Sequence, residues 1–253
     1  MDRYATISRT PLIQRILASH IPIVLLDAVA GMGKSVLLDQ VATIFGLQVH
    51  RGLNAPNPGP DLCLWDIPNT GICMDFPANF LTGQSRIIVA KRPNLYLAGL
   101  DRAEIYGAVL RLSSRDLAFN QDELAQIAAP QSAADLFAET AGWPLLFGRR
   151  VANKKTMARF LAAEIVANLD PIDLVRLSIA LTAADGPAFS MLEIFPDQIP
   201  QDIADQLIGA VYREIEKRGR TPKEAVRLAE AFEAENHLPD AIAVYQSAQR
   251  FDL

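Results

Sequence analysis

The sequence predicts an α/β protein, with a parallel sheet in its N-terminal part followed by helical domains. Three observations carry this. Short continuous apolar runs recur between residues 21 and 112, separated by helical or loop segments, as expected of strands buried on both faces and joined by crossovers. A glycine-rich turn follows the first of these runs. Beyond residue 115 no strand-like run of any length occurs, and apolar residues recur at helical spacing instead.

The elements follow in order. "PLIQRILAS" (11–19) places its apolar residues on one helical face, and "IPIVLLD" (21–27) is a buried strand. "SVLLDQVATIF" (35–45) is the next helix, and "LQVHRGL" (47–53) a second strand. "NAPNPGP" (54–60) is loop, because its prolines and glycine cannot sustain either regular structure. "DLCLWD" (61–66), "SRIIVAKR" (85–92) and "AVLRL" (108–112) supply three more strands. The helical part divides into a subdomain over 116–155, a small domain over 156–210 and a helix pair over 211–253. In that pair Asn236 or His237 stops one helix and Pro239 opens the next. A helix pair buries its own faces poorly, so this one either packs back or begins a repeat array. Stopping at "RFDL" after one pair is what a fragment or a shortened protein would do.

Composition narrows the function. The 253 residues are 50% hydrophobic and 21% charged, with net charge −5, so the chain has no long-range attraction for nucleic acid. The basic stretches "GRRVANKK" (148–155) and "REIEKRGRTPK" (213–223) are interleaved with apolar residues or acids and read as solvated helix faces. Two cysteines without CxxC spacing and three scattered histidines argue against disulfides and structural zinc. The run "IPIVLL" is too short for a bilayer, and the start lacks a signal-peptide pattern, so a cytoplasmic setting is expected.

The chemistry lies in "AVAGMGKS" (28–35), which fits a phosphate loop with Ala28 at the first glycine position. Such a loop aims the backbone N–H groups of Ala30, Gly31, Met32, Gly33, Lys34, Ser35 and Val36 at phosphate oxygens, assisted by the following helix N-terminus. Lys34 would neutralise β- and γ-phosphates, and the Ser35 hydroxyl would ligate Mg²⁺. Asp66, ending a strand, would hold that Mg²⁺ through water; the competing reading is a turn-forming Asp. Ile67 follows where many hydrolases carry a second acid, so slow hydrolysis is expected. Arg92, at another strand end, can reach a γ-phosphate, with Lys91 as the rival and a solvated strand end as the plain alternative.

The phrase "SRIIVAKRPNLYLAGLDRAEIYGAVLRLSSRDLAFNQDELAQI", followed by "LFAETAGWPLL", resembles the STAND-class NTPase core of the maltose-regulon activator type. These are large ATP-binding regulators that usually end in a LuxR-type DNA-binding domain. "RTPLIQRIL" and "EAFEAENHLPDAIAVYQSAQ" fit the same order, so the resemblance spans nearly the whole chain. It implies a P-loop NTPase (AAA+/STAND-like) sheet followed by helical and winged-helix-like domains, the latter over 156–210, and a TPR-like C-terminal pair. It implies that Arg9 lies near adenine and that Pro144 of "GWP" packs on adenine; without it, "GWP" reads as a helix-ending turn with a core Trp143. It further implies ATP or ADP with Mg²⁺ as ligands, self-association in the ATP state, and an unknown inducer or protein partner. The sequence departs from the pattern in three ways. The second acid after Asp66 is missing, Lys91 stands where a Ser precedes the arginine, and the gap from Lys34 to Asp66 is short. No DNA-binding domain is present on the chain, and no direct DNA or membrane binding is expected of it.

The leading expectation is a nucleotide-gated signalling switch, the NTPase core of a bacterial transcriptional regulator. A small-molecule P-loop kinase is the first alternative, since "AVAGMGKS" and the short gap to Asp66 also suit compact kinases. A degenerate core kept as an interaction scaffold is the second.

Overall fold

The computed structural model describes residues 7–59, 62–71, 73–82, 85–147, 154–183 and 199–249. The chain divides into two compact units, one within Met1–Arg150 and the other beginning at Val151.

The first unit is α/β. Helix α1 (Thr10–Ala18) precedes β1 (Ile23–Asp27), α2 (Lys34–Phe45), β2 (Val49–Arg51), β3 (Leu62–Asp66), β4 (Met74–Asp75) and α3 (Ala78–Leu81). Then come β5 (Arg86–Lys91), β6 (Leu97–Ala98), α4 (Leu100–Ile105), β7 (Val109–Leu112), α5 (Ser114–Leu117), α6 (Gln121–Leu124), α7 (Pro130–Thr140) and α8 (Pro144–Phe147). Five strands form one parallel sheet in the order β2-β3-β5-β1-β7, while β4 and β6 pair separately. The expected strands all lie in the main sheet, each trimmed by a residue or two at its ends. β4 and β6 are additions, two residues long and below the length at which alternation or an apolar run can register.

The apolar runs become strands because both faces of the sheet are covered. Residues 23–26 of β1 and 87–90 of β5 are fully or almost fully buried, which is why they read as continuous rather than alternating. β1 lies between β5 and β7, with Leu25 opposite Val89 on one side and Arg111 on the other. From β1 the chain crosses to β2 at the far edge, returns through β3 and β5, and then passes over β1 to β7. Connections therefore leave the carboxyl ends of the neighbouring strands β1 and β5 in opposite directions, which opens a crevice at that end of the sheet.

Arg86, the first residue of β5, fastens α1 to the sheet. Its guanidinium donates to the carbonyls of Ile16, Leu17 and Ile21 and to Ser19 Oγ at 2.5–3.2 Å, satisfying the last carbonyls of the helix.

The second unit is helical where described: α9 (Lys154–Phe160), a π-turn (Leu161–Ile165), a 3-10 turn (Val166–Asn168), α10 (Pro171–Thr182), α11 (Gln201–Gly219), α12 (Pro222–Ala234) and α13 (Leu238–Gln249). Asp170 caps α10 by accepting from Asp173 N at 2.8 Å, and Pro171 and Pro222 occupy first turns, where their missing N–H costs nothing. Asn236 adopts a left-handed conformation (φ 61°) between α12 and α13.

Three expected boundaries move. The divisions at 115/116, 155/156 and 210/211 fall inside α5, α9 and α11. In the last case nothing between 201 and 219 interrupts the helix, Gly209 included. Of the expected winged-helix-like domain over 156–210, residues 184–198 lie outside the described residues, and the described remainder is largely helical.

Candidate functional site

All five strands of the main sheet are parallel, so their carboxyl ends share one edge. That edge gathers Asp27 from β1, Arg51 from β2, Asp66 from β3 and Lys91 from β5, with Arg92 next in the chain. Above it lies a cleft of about 810 Å³.

The turn between β1 and α2 forms the floor of the cleft. Gly31 and Gly33 hold left-handed conformations with φ of 80° and 78°, which side chains resist. Ala30 and Met32 alternate with them and are buried, so both anchor the turn to the core. A Cβ on Gly31 would stand 2.7 Å from Leu145 Cβ, and one on Gly33 would stand 3.7 Å from the Pro144 ring. The glycines thus serve twice: they permit the turn, and Gly31 admits Leu145 against it.

Lys34, the first residue of α2, folds back over the turn. Its Nζ donates to Ala28 O at 2.5 Å and Val29 O at 2.8 Å. Burial foremost, and then Arg92, lower its pKa from 10.5 to about 7, against the opposing pull of Asp27 and Asp66. A half-buried ammonium whose hydrogen bonds go to carbonyl dipoles favours a further anion nearby. Ser35 and Val36 line the cleft at the start of α2 and are exposed.

Asp66 and Arg92 line the same cleft. Lys91 does not reach it: buried, its Nζ pairs with Asp27 Oδ2 at 2.7 Å, and Arg111 completes that cluster. Of the two cations proposed for a γ-phosphate, only Arg92 faces the cleft. Ile67 is buried among core residues, so the position where an acid is missing carries an apolar side chain that supports the sheet. Pro144 forms part of the cleft wall beside Gly33, at the end of the cleft formed by the glycine turn.

Arg9 is not among the cleft residues. It is buried in an ion pair with Glu123 at 2.8 Å, donates to Leu117 O at 2.7 Å, and lies 4.9 Å from the Phe119 ring centre. Phe119 N in turn donates to Gly142 O at 2.7 Å, and Trp143 is fully buried. Arg9 thus braces the segment that carries Pro144 and Leu145.

Arg51 and Leu145 are among the cleft residues that escaped the sequence reading. Arg51 ends β2, whereas the predicted strand runs on to Leu53, which conceals the arginine's place at the carboxyl edge. Leu145 carried no signal, because only the fold brings it to Gly31.

Among the described residues, no group of three or more His, Cys, Asp or Glu side chains is gathered to hold a metal. Mg²⁺ in a phosphate site does not need one, since phosphates and water supply most of its ligands. The Ser35 hydroxyl and Asp66 carboxylate, both on the cleft, are the donor types it takes. Among the described residues no helix is long and apolar enough to cross a membrane. Searches against protein-family models and curated proteins find no match for the chain.

Proposed function

We propose that this chain binds ATP or ADP with Mg²⁺ and acts as a nucleotide-gated regulatory switch, the P-loop NTPase (AAA+/STAND-like) core of a bacterial regulator. One observation carries the reading: the glycine turn with Lys34 and Ser35, the Asp66 carboxylate and the Arg92 cation converge on one cleft at the carboxyl edge of a parallel sheet.

In this reading Lys34 leaves its two carbonyls to neutralise β- and γ-phosphates, and the turn's N–H groups donate to the remaining oxygens. Ser35 and Asp66 would hold Mg²⁺, which supplies neutralisation of phosphate charge. Arg92 contacts the γ-phosphate and so distinguishes ATP from ADP. That difference in contact is what lets one nucleotide favour a second conformation, since a ligand shifts an equilibrium only by its differential affinity. With Ile67 beside Asp66, no carboxylate there orients an attacking water, and turnover is slow. Self-association in the ATP state and response to an inducer or protein partner complete the proposal; direct DNA reading is no part of it.

Thermal unfolding of the whole chain tests it. Nucleotide at a hundred times its dissociation constant stabilises a protein by about 2.7 kcal/mol, which for this size raises the midpoint by roughly 5 °C or more. Both ADP and ATP should produce that shift with Mg²⁺, and Lys34→Ala should abolish it. No shift at millimolar nucleotide refutes the proposal, and steady formation of a phosphorylated small molecule favours a kinase instead.

A further inference from the structure

The cleft holds a second carboxyl-edge arginine besides Arg92, namely Arg51. Arg51 pairs in register with Asp66 across β2 and β3, and Gly52 N donates to Asp66 O at 3.3 Å. The two side chains therefore leave neighbouring strands at the same level of the sheet. Arg51 Nε stands 3.8 Å from Asp66 Oδ2, while its Nη2 donates to Asp39 Oδ1 at 2.5 Å. Asp39 lies on α2, about one turn beyond Ser35. The guanidinium thus bridges the carboxylate proposed to serve Mg²⁺ and a carboxylate on the helix that bears Lys34 and Ser35.

The two contacts are unequal. Arg51 is held closely by Asp39 and only loosely by Asp66, and Coulomb attraction weakens with distance and solvent exposure. A divalent cation arriving beside Asp66 can displace so distant a partner, while Asp39 retains the arginine at the cleft wall.

We propose that Arg51 is a stand-in cation for Mg²⁺: it neutralises Asp66 while metal is absent and releases it when metal arrives with nucleotide. The inference rests on the nucleotide reading of the cleft and adds a regulatory element to it. Mg²⁺ and Arg51 compete for one carboxylate, so the arginine sets the Mg²⁺ concentration at which the metal-bound form of the site takes over. Without metal, Arg51 shields phosphates from the Asp66 charge.

The experiment is equilibrium binding of a fluorescent ATP analogue to the whole chain, first in EDTA and then across a Mg²⁺ titration. Arg51→Gln is expected to lower the Mg²⁺ midpoint about two- to fivefold, the equivalent of a partly exposed ion pair, and to weaken metal-free binding. Asp39→Asn, which frees Arg51 to close on Asp66, is expected to raise the midpoint. Opposite shifts in the two variants establish the competition, and a folding defect in either leaves the other to decide. A midpoint unchanged in both variants while binding persists overturns the role of Arg51 and leaves the nucleotide reading standing. Failure of the unaltered chain to bind the analogue at any Mg²⁺ concentration overturns both.

Discussion

Lys34 shows how one side chain links stability to function. In the unfolded chain it keeps its proton until about pH 10.5, whereas in the folded protein it loses it near pH 7. Between those values the unfolded state binds more protons, so stability rises with pH across this window and is flat below it. The melting temperature of the unliganded protein is expected to climb from pH 7 to pH 9.5, and Lys34→Met to flatten that climb. Lys91 is also lowered by burial, but its pairing with Asp27 opposes the effect, so a residual slope in Lys34→Met is assigned to it. Phosphate in the cleft returns the proton to Lys34, so nucleotide affinity should fall as pH rises toward 9. Individual residues were legible to different degrees. Gly31, Gly33, Lys34 and Ser35 are contiguous, and a local turn dictates their use. Arg9 could not be placed, because its acceptor Leu117 lies 108 residues away and nothing in local spacing reports such a contact.

Among the elements, the segment joining α7 to α8 carries the tightest constraint. A Cβ on Gly142 would stand 2.1 Å from the Phe119 carbonyl oxygen, and φ there is 72°. Backbone cannot yield as a flexible side chain can, so Gly142→Ala is expected to destabilise the protein by about 3 kcal/mol or more, measured by urea unfolding. Because Pro144 and Leu145 follow directly, the same variant should lose much of its nucleotide-induced thermal shift. At this scale the sequence was most informative for β1, β3 and β5, whose burial on both faces leaves an unbroken apolar run. It was least informative where pairing is brief, as in β4 and β6, and where a helix runs through a change of composition, as α11 does across residue 210.

For the molecule as a whole, the two units set the test of a switch. The cleft lies within the first unit, so occupancy alone should slow amide exchange along residues 28–37 with either nucleotide. A switch demands more: α10 to α13 of the second unit must exchange differently in ADP and in ATP. Hydrogen exchange with each nucleotide and Mg²⁺ is expected to show this difference, and identical exchange in the second unit would leave a nucleotide-binding domain without gating. Helical periodicity made the second unit recognisable as helical, yet its partition into domains was not legible, since amphipathic helices with similar faces can pack in several groupings.

The two carbonyl bonds of Lys34 also bear on rates. In the proposed site Nζ can offer its third N–H to a phosphate, but it engages the phosphate with more than one N–H only by letting go of Ala28 or Val29. Full engagement of a phosphate would then contain a step that belongs to the protein alone, with a speed that stops rising once encounters outpace that release. The turn would thus behave as a latch, and the lysine as its bolt.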